Sequence, residues 1–164
     1  MSLFDNPEYR WRETYQLFHK KSRRPTVEDV QKLLGNAREN YRLEDLRGDE
    51  SSRFESVTVL AADAFAAIDI MYVADDQIQE QVGEIQEEMK EVLEDPEDRA
   101  KLDSLTDYDV CLDLLHFERL VDMAAQEDDE LSAFFDPGAL LSVIEKLTSL
   151  TGGVCLDPAS ATIM

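Results

Sequence analysis

The sequence predicts an α+β domain: a mostly antiparallel sheet with helices packed on one face, and a ferredoxin-like split βαβ core as the first expectation. Three observations carry this. Segments of strand period and helix period are mixed without strict alternation, which disfavours a parallel α/β sheet. The helical segments carry narrow apolar stripes, the pattern of helices that cover one face of a sheet. Finally, 164 residues with 43% hydrophobic content suit one domain, which buries roughly 70% of its unfolded surface. Residues 1–164 are therefore read as a single domain.

Residues 9–19, YRWRETYQLFH, mix aromatic and polar positions without a turn residue and predict a first strand. KKSRRP at 20–25 is a basic loop. Thr26 then starts a helix with Asp29 three positions on, a capping-box pattern, and Val27, Val30, Leu33 and Leu34 follow at helical spacing. Gly35-Asn36 supplies a left-handed exit. NYRLEDLR at 40–47 predicts a second strand, GDESSR a turn, and FESVTVLA a third strand. AFAAIDIMYV, dominated by β-branched and aromatic residues and of the right length, predicts the fourth.

Asp75-Asp76 open a long helix with Ile78, Val82, Ile85, Met89 and Val92 on one stripe. EDPEDR breaks it through Pro96. YDVCLDLLHF at 108–117 predicts a further strand, against a competing helix running on through Leu120, Val121 and Ala124. Asp136 as N-cap and Pro137 at the first turn begin another helix with Leu140, Leu141, Ile144, Leu147 and Leu150 on its apolar side. Gly152-Gly153 ends that helix, and VCLDPASATIM reads as a strand, a DPAS turn and a short return strand.

The charge is large and uneven. The formal net charge is −21, from 37 acidic and 16 basic residues. Residues 1–53 hold 11 basic and 10 acidic side chains, a net of +1; residues 54–164 hold 5 and 27, a net of −22. Such a surface repels phosphate backbones and anionic lipid, which argues against general nucleic-acid or membrane binding. No signal-peptide pattern and no run of 18 apolar residues occurs, so the expected location is cytoplasmic with reduced thiols.

The familiar chemistries fail one by one. Two cysteines 44 positions apart make neither a disulfide framework nor a Cys₄ zinc site. His116-Phe117-Glu118 gives H-x-E without the P-C-x-x-C of zinc deaminases, and His116 reads as an ordinary strand-edge histidine. Asp107, Asp109 and Asp113 resemble a calcium loop until Cys111 and Leu112 occupy the positions of a ligand and a glycine. No G-x-S-x-G elbow is present. Cys111 and Cys155 have acidic neighbours, which disfavour a thiolate, and read as small core residues. Gly152-Gly153 follows a helix, whereas a phosphate cradle precedes one. No metal site and no cofactor is expected.

Two constellations remain. Asp69 alternates onto one face of its strand with Ala67 and Met71, and Asp113 shares a face with Cys111 and Leu115. Were those strands adjacent, the carboxylates would form an acid/base pair or hold a divalent cation; the plainer reading is that each faces water or a basic partner such as Arg42 or Arg119. Lys20, Lys21, Arg23 and Arg24 form the one basic island, able to meet a phosphate, a carboxylate-rich partner or another copy of the chain, though such runs are commonly solvated loops. The acidic tracts at 94–98 and 126–130 read as solvated loops, with an anionic surface for a basic partner as the sharper alternative.

The leading expectation is accordingly a protein-interaction or regulatory module rather than an enzyme, with Tyr9, Trp11 and Tyr15 as exposed aromatic candidates. Its partner is a protein, with a basic one among the candidates; a homodimer stays open. An enzyme using Asp69 and Asp113 ranks second, and an acidic nucleic-acid mimic third.

Overall fold

The computed structural model describes residues 5–35, 41–61, 66–119, 138–157, 159–160 and 162–163. They form an α+β fold around one seven-stranded sheet of order β2-β3-β4-β5-β1-β6-β7. The strands are β1 (Tyr9–His19), β2 (Arg42–Gly48), β3 (Phe54–Ala61), β4 (Ala66–Val73), β5 (Val110–Arg119), β6 (Val154–Asp157) and β7 (Thr162–Ile163). Every pairing between them is antiparallel. Four helices are described: α1 (Val27–Gly35), α2 (Ile78–Lys90), α3 (Pro96–Ser104) and α4 (Gly138–Thr151).

Local chemistry explains the starts and stops. At α1 the Thr26 hydroxyl accepts from the Asp29 amide at 3.0 Å while the Asp29 carboxylate accepts from the Thr26 amide at 3.2 Å, a reciprocal capping box. Gly152 closes α4 at φ 68°, a left-handed conformation that favours glycine. Gly153 sits so close to β1 that a Cβ there would run into the Phe18 carbonyl oxygen. Asp136 and Pro137, the expected cap of α4, lie outside the described residues, as do Leu120, Val121 and Ala124. Residues 110–119 themselves are strand.

The helices lie on both faces, not one. On the first face Val30 and Leu34 of α1 and Leu140, Val143, Ile144 and Leu147 of α4 pack over Leu17, Val59, Ile68, Ile70, Leu112 and Leu114. On the second, Ile78, Val82, Ile85 and Met89 of α2 with Leu102 of α3 cover Phe18, Cys111, Val154 and Leu156. The alternating neighbours Leu17 and Phe18, and likewise Cys111 and Leu112, are therefore all buried. Strands covered on both sides read as continuous apolar runs, and LF and VCL are short examples.

Three sequence expectations change in detail. Pro96 does not merely end α2: Asp95 accepts from the Glu97 amide at 2.8 Å and Pro96 occupies the first turn of α3. A residue that cannot continue one helix is well suited to begin the next. Val92 falls past the end of α2 and is 59% exposed, and Leu141 faces solvent from α4.

Candidate functional site

The carboxylate pair comes first. β4 and β5 are neighbours, with Asp69 opposite Leu115 and Met71 opposite Asp113. Asp69 and Asp113 therefore share the second face and stand one diagonal step apart, a placement within reach of longer side chains. Each carboxylate has neutral donors: Thr58 Oγ1 donates to Asp69 at 2.5 Å, and the Gln16 and Cys111 side chains bond to Asp113. Burial raises the pKa of Asp113, and those two bonds oppose the rise. Arg42, one suggested partner, instead pairs with Glu44 at 3.3 Å. Burial, then Asp113, pushes the Cys111 thiol up; burial and Asp157 push Cys155 up to about 12. Both thiols belong to the core, not to a thiolate site.

The basic island divides. Arg24 turns inward: its guanidinium donates to the Phe54 carbonyl at 2.9 and 3.1 Å, pairs with Asp49 at 3.2 Å and lies 3.9 Å over the Tyr72 ring. Arg23 reaches the Leu150 carbonyl at 3.3 Å. Lys20 and Lys21 extend from the loop, where the Lys21 amide donates to Asp109. Half of the island thus ties the loop to the fold. The acidic tract at 94–98 is also partly structural, since Asp95 caps α3; the tract at 126–130 lies outside the described residues.

Both histidines are fully buried, so His116 is no strand-edge residue. It sits on a central strand opposite Glu13 of β1, with Nδ1 3.3 Å from the carboxylate. Burial lowers its pKa and Glu13 opposes that. His19 Nδ1 lies 2.8 Å from the Lys20 carbonyl, an acceptor, so this nitrogen carries the proton. Burial lowers the His19 pKa too.

The feature that sequence reasoning missed is an edge inside the sheet. β5 flanks β1 along its whole length, whereas β6 pairs only with Gln16, Leu17 and Phe18. Among the described residues no strand lies beside Tyr9–Tyr15 on that other side. A groove of about 500 Å³ occupies the space, and its lining includes Trp11, Arg12, Glu13, Thr14, Gln16, Asp157 and Ser160. Trp11 is 48% exposed, and its indole N–H donates to Thr14 Oγ1 at 3.0 Å. The opposite wall is rigid because Asp157 accepts from the Ala159 amide at 3.0 Å and the Ser160 hydroxyl at 2.9 Å.

Comparison with known protein families, curated proteins and solved structures finds no match to this chain.

The groove is chemically asymmetric. Arg12 of the lining and the neighbouring strand residue Arg10 share one carboxylate, Glu118, at 3.3 and 2.6 Å. Glu13 and Asp157 are left as its acidic members. Of the three aromatic candidates, Tyr9 and Tyr15 are half-buried and only Trp11 stands out. A lone tryptophan amid charged residues was the available signal. Among the described residues, no three His, Cys, Asp or Glu side chains cluster as a metal-binding set. No described helix is long and apolar enough to cross a membrane.

Proposed function

We propose that this chain is a cytoplasmic protein-interaction module whose docking site is the groove beside β1. The carrying observation is Trp11, nearly half exposed in the lining of a groove of about 500 Å³. Tryptophan is the side chain most enriched among energetic anchors of interfaces, because it removes a large apolar area from water on binding. Two buried, unpaired thiols suit a reducing compartment. The four strands β4-β5-β1-β6, with α1 and α4 on one face, support reading the scaffold as an enlarged split βαβ core: α4 links β5 to β6 with β1 between them.

The test is a pair of tagged full-length chains, wild type and Trp11→Ala, used to capture partners at low and then high salt. A protein held by the wild type and lost by the variant supports the reading. Equal capture by both would move the interface elsewhere.

A second reading uses Asp69 and Asp113 as an acid/base pair. Their placement on one face and the raised pKa of Asp113 favour it. Replacing both by Asn should then abolish turnover of a substrate while the fold persists. Nothing in the described residues favours the nucleic-acid mimic over these two.

A further inference from the structure

We infer that the half of β1 left uncovered among the described residues accepts an extended, basic segment of a partner protein as an added antiparallel strand, in line with β6. This rests on the interaction reading above and gives its mode. Three observations converge on it.

The first is the edge itself. A strand flanked on one side only presents alternate backbone N–H and C=O groups to whatever lies on the other. The outer edges of this sheet are blunted. β2 has two register shifts, a left-handed Asp45 at φ 52° and the charges of Arg42, Glu44 and Arg47. β7 has only two residues. β1 carries its irregularity between Trp11 and Glu13, so Glu13–Tyr15 keeps regular strand register.

The second is room in the right place. β6 cannot continue along β1, because the Asp157 carboxylate fastens the chain into a turn. The groove begins where β6 stops. An added strand there extends a sheet whose pairings are all antiparallel.

The third is sign. Of the charged side chains lining the groove, Glu13 and Asp157 outnumber Arg12, which reaches Glu118 at 3.3 Å, and the chain carries −21 overall. Lys or Arg on the incoming segment meets this field and also the face of Trp11, where a cation is attracted to the ring.

The experiment leaves the protein intact and varies the probe. A short peptide of alternating Lys and Val is titrated into the full chain, beside an isomeric-charge version N-methylated on alternate residues and a version with Glu for Lys. Trp11 is the only tryptophan, so its emission reports the groove directly. The inference expects the Lys–Val peptide to change that emission and to slow amide exchange within Glu13–Tyr15. It expects about tenfold weaker binding of the methylated peptide, the loss of one or two strand hydrogen bonds, and no binding of the Glu version.

Equal binding of methylated and unmethylated peptides, with Trp11 emission changed but no amide protected, overturns strand addition and leaves the groove reading standing. Unchanged Trp11 emission with every peptide overturns both. Protection of Glu13–Tyr15 without any peptide, in a chain that sediments as a dimer, assigns the edge to a second copy and overturns the basic partner.

Discussion

The two halves of β1 differ more than many separate elements do. From Gln16 to Phe18 the strand lies between β5 and β6, with Leu17 covered by α1 and α4 on one face and Phe18 by α2 on the other. From Tyr9 to Tyr15 it has, among the described residues, one neighbouring strand and a groove. The closed half contributes Leu17, Phe18 and His19, none of them exposed at all, whereas the open half puts Trp11 into solvent. One strand thus anchors the fold with one end and offers a surface with the other. The contrast shows that stability and availability can be divided along a single element when its flanking strand is shorter than it is.

The sharpest way to break this division is at Phe18. Phe18→Ala removes a fully buried ring packed against α2 and β6 and should cost about 3–5 kcal/mol. Urea denaturation followed by circular dichroism measures it; a cost below about 1 kcal/mol would mean that the closed half is not load-carrying in the core.

Gly153→Ala should cost roughly 1–3 kcal/mol, because the added Cβ meets backbone at Phe18 and β6 must shift away from β1. The same denaturation curve reads it, and a neutral result would show that β6 is held more loosely than its packing implies.

The pH dependence comes next. Burial depresses the folded-state pKa of His19 below 6.5, so the unfolded chain binds the proton more readily. The associated stability is complete above about pH 6.5 and is lost as pH falls from there through the depressed folded value. Asp113 acts in the opposite sense: its raised pKa favours the folded state at acid pH, and that contribution fades as pH rises through the folded value. Comparing His19→Gln with wild type isolates the histidine. The variant should lose stability less steeply between pH 7 and pH 5, and parallel curves would exclude His19 as the acid-sensitive group.

The smallest effect belongs to the open half. Trp11→Ala should change stability by less than about 0.5 kcal/mol, as an exposed substitution usually does, while removing partner capture. A large loss of stability would make Trp11 a core residue and would erase the distinction between the halves.

Much of the fold was legible because local chemistry specifies it. The Thr26–Asp29 box, the FESVTVLA alternation and the Gly152 exit each state their structure within a few residues. α3 was not legible, since PEDRAKLDS buries only Leu102 and so lacks an apolar stripe. The second helical face was missed for a related reason: two adjacent buried residues, Leu17 and Phe18, are too short a run to betray coverage on both sides.

For the candidate sites, alternation placed Asp69 and Asp113 on definite faces of their strands. Their adjacency depends on β4 pairing with β5 across two intervening helices, which no local pattern encodes. The groove was less accessible still. It arises because β6 ends after Asp157 while its neighbour β1 runs on, and strand order and relative strand length are properties of the assembled sheet.

Amide hydrogen exchange on the free chain tests the division of β1 most directly. Residues 16–18, bonded on both sides, should be protected throughout, while alternate amides between Tyr9 and Tyr15 exchange quickly because, among the described strands, β5 alone holds that stretch. Uniform protection from Tyr9 to Phe18 in a monomeric chain would mean that the edge is already covered, and it would contradict the open half on which the proposed function depends.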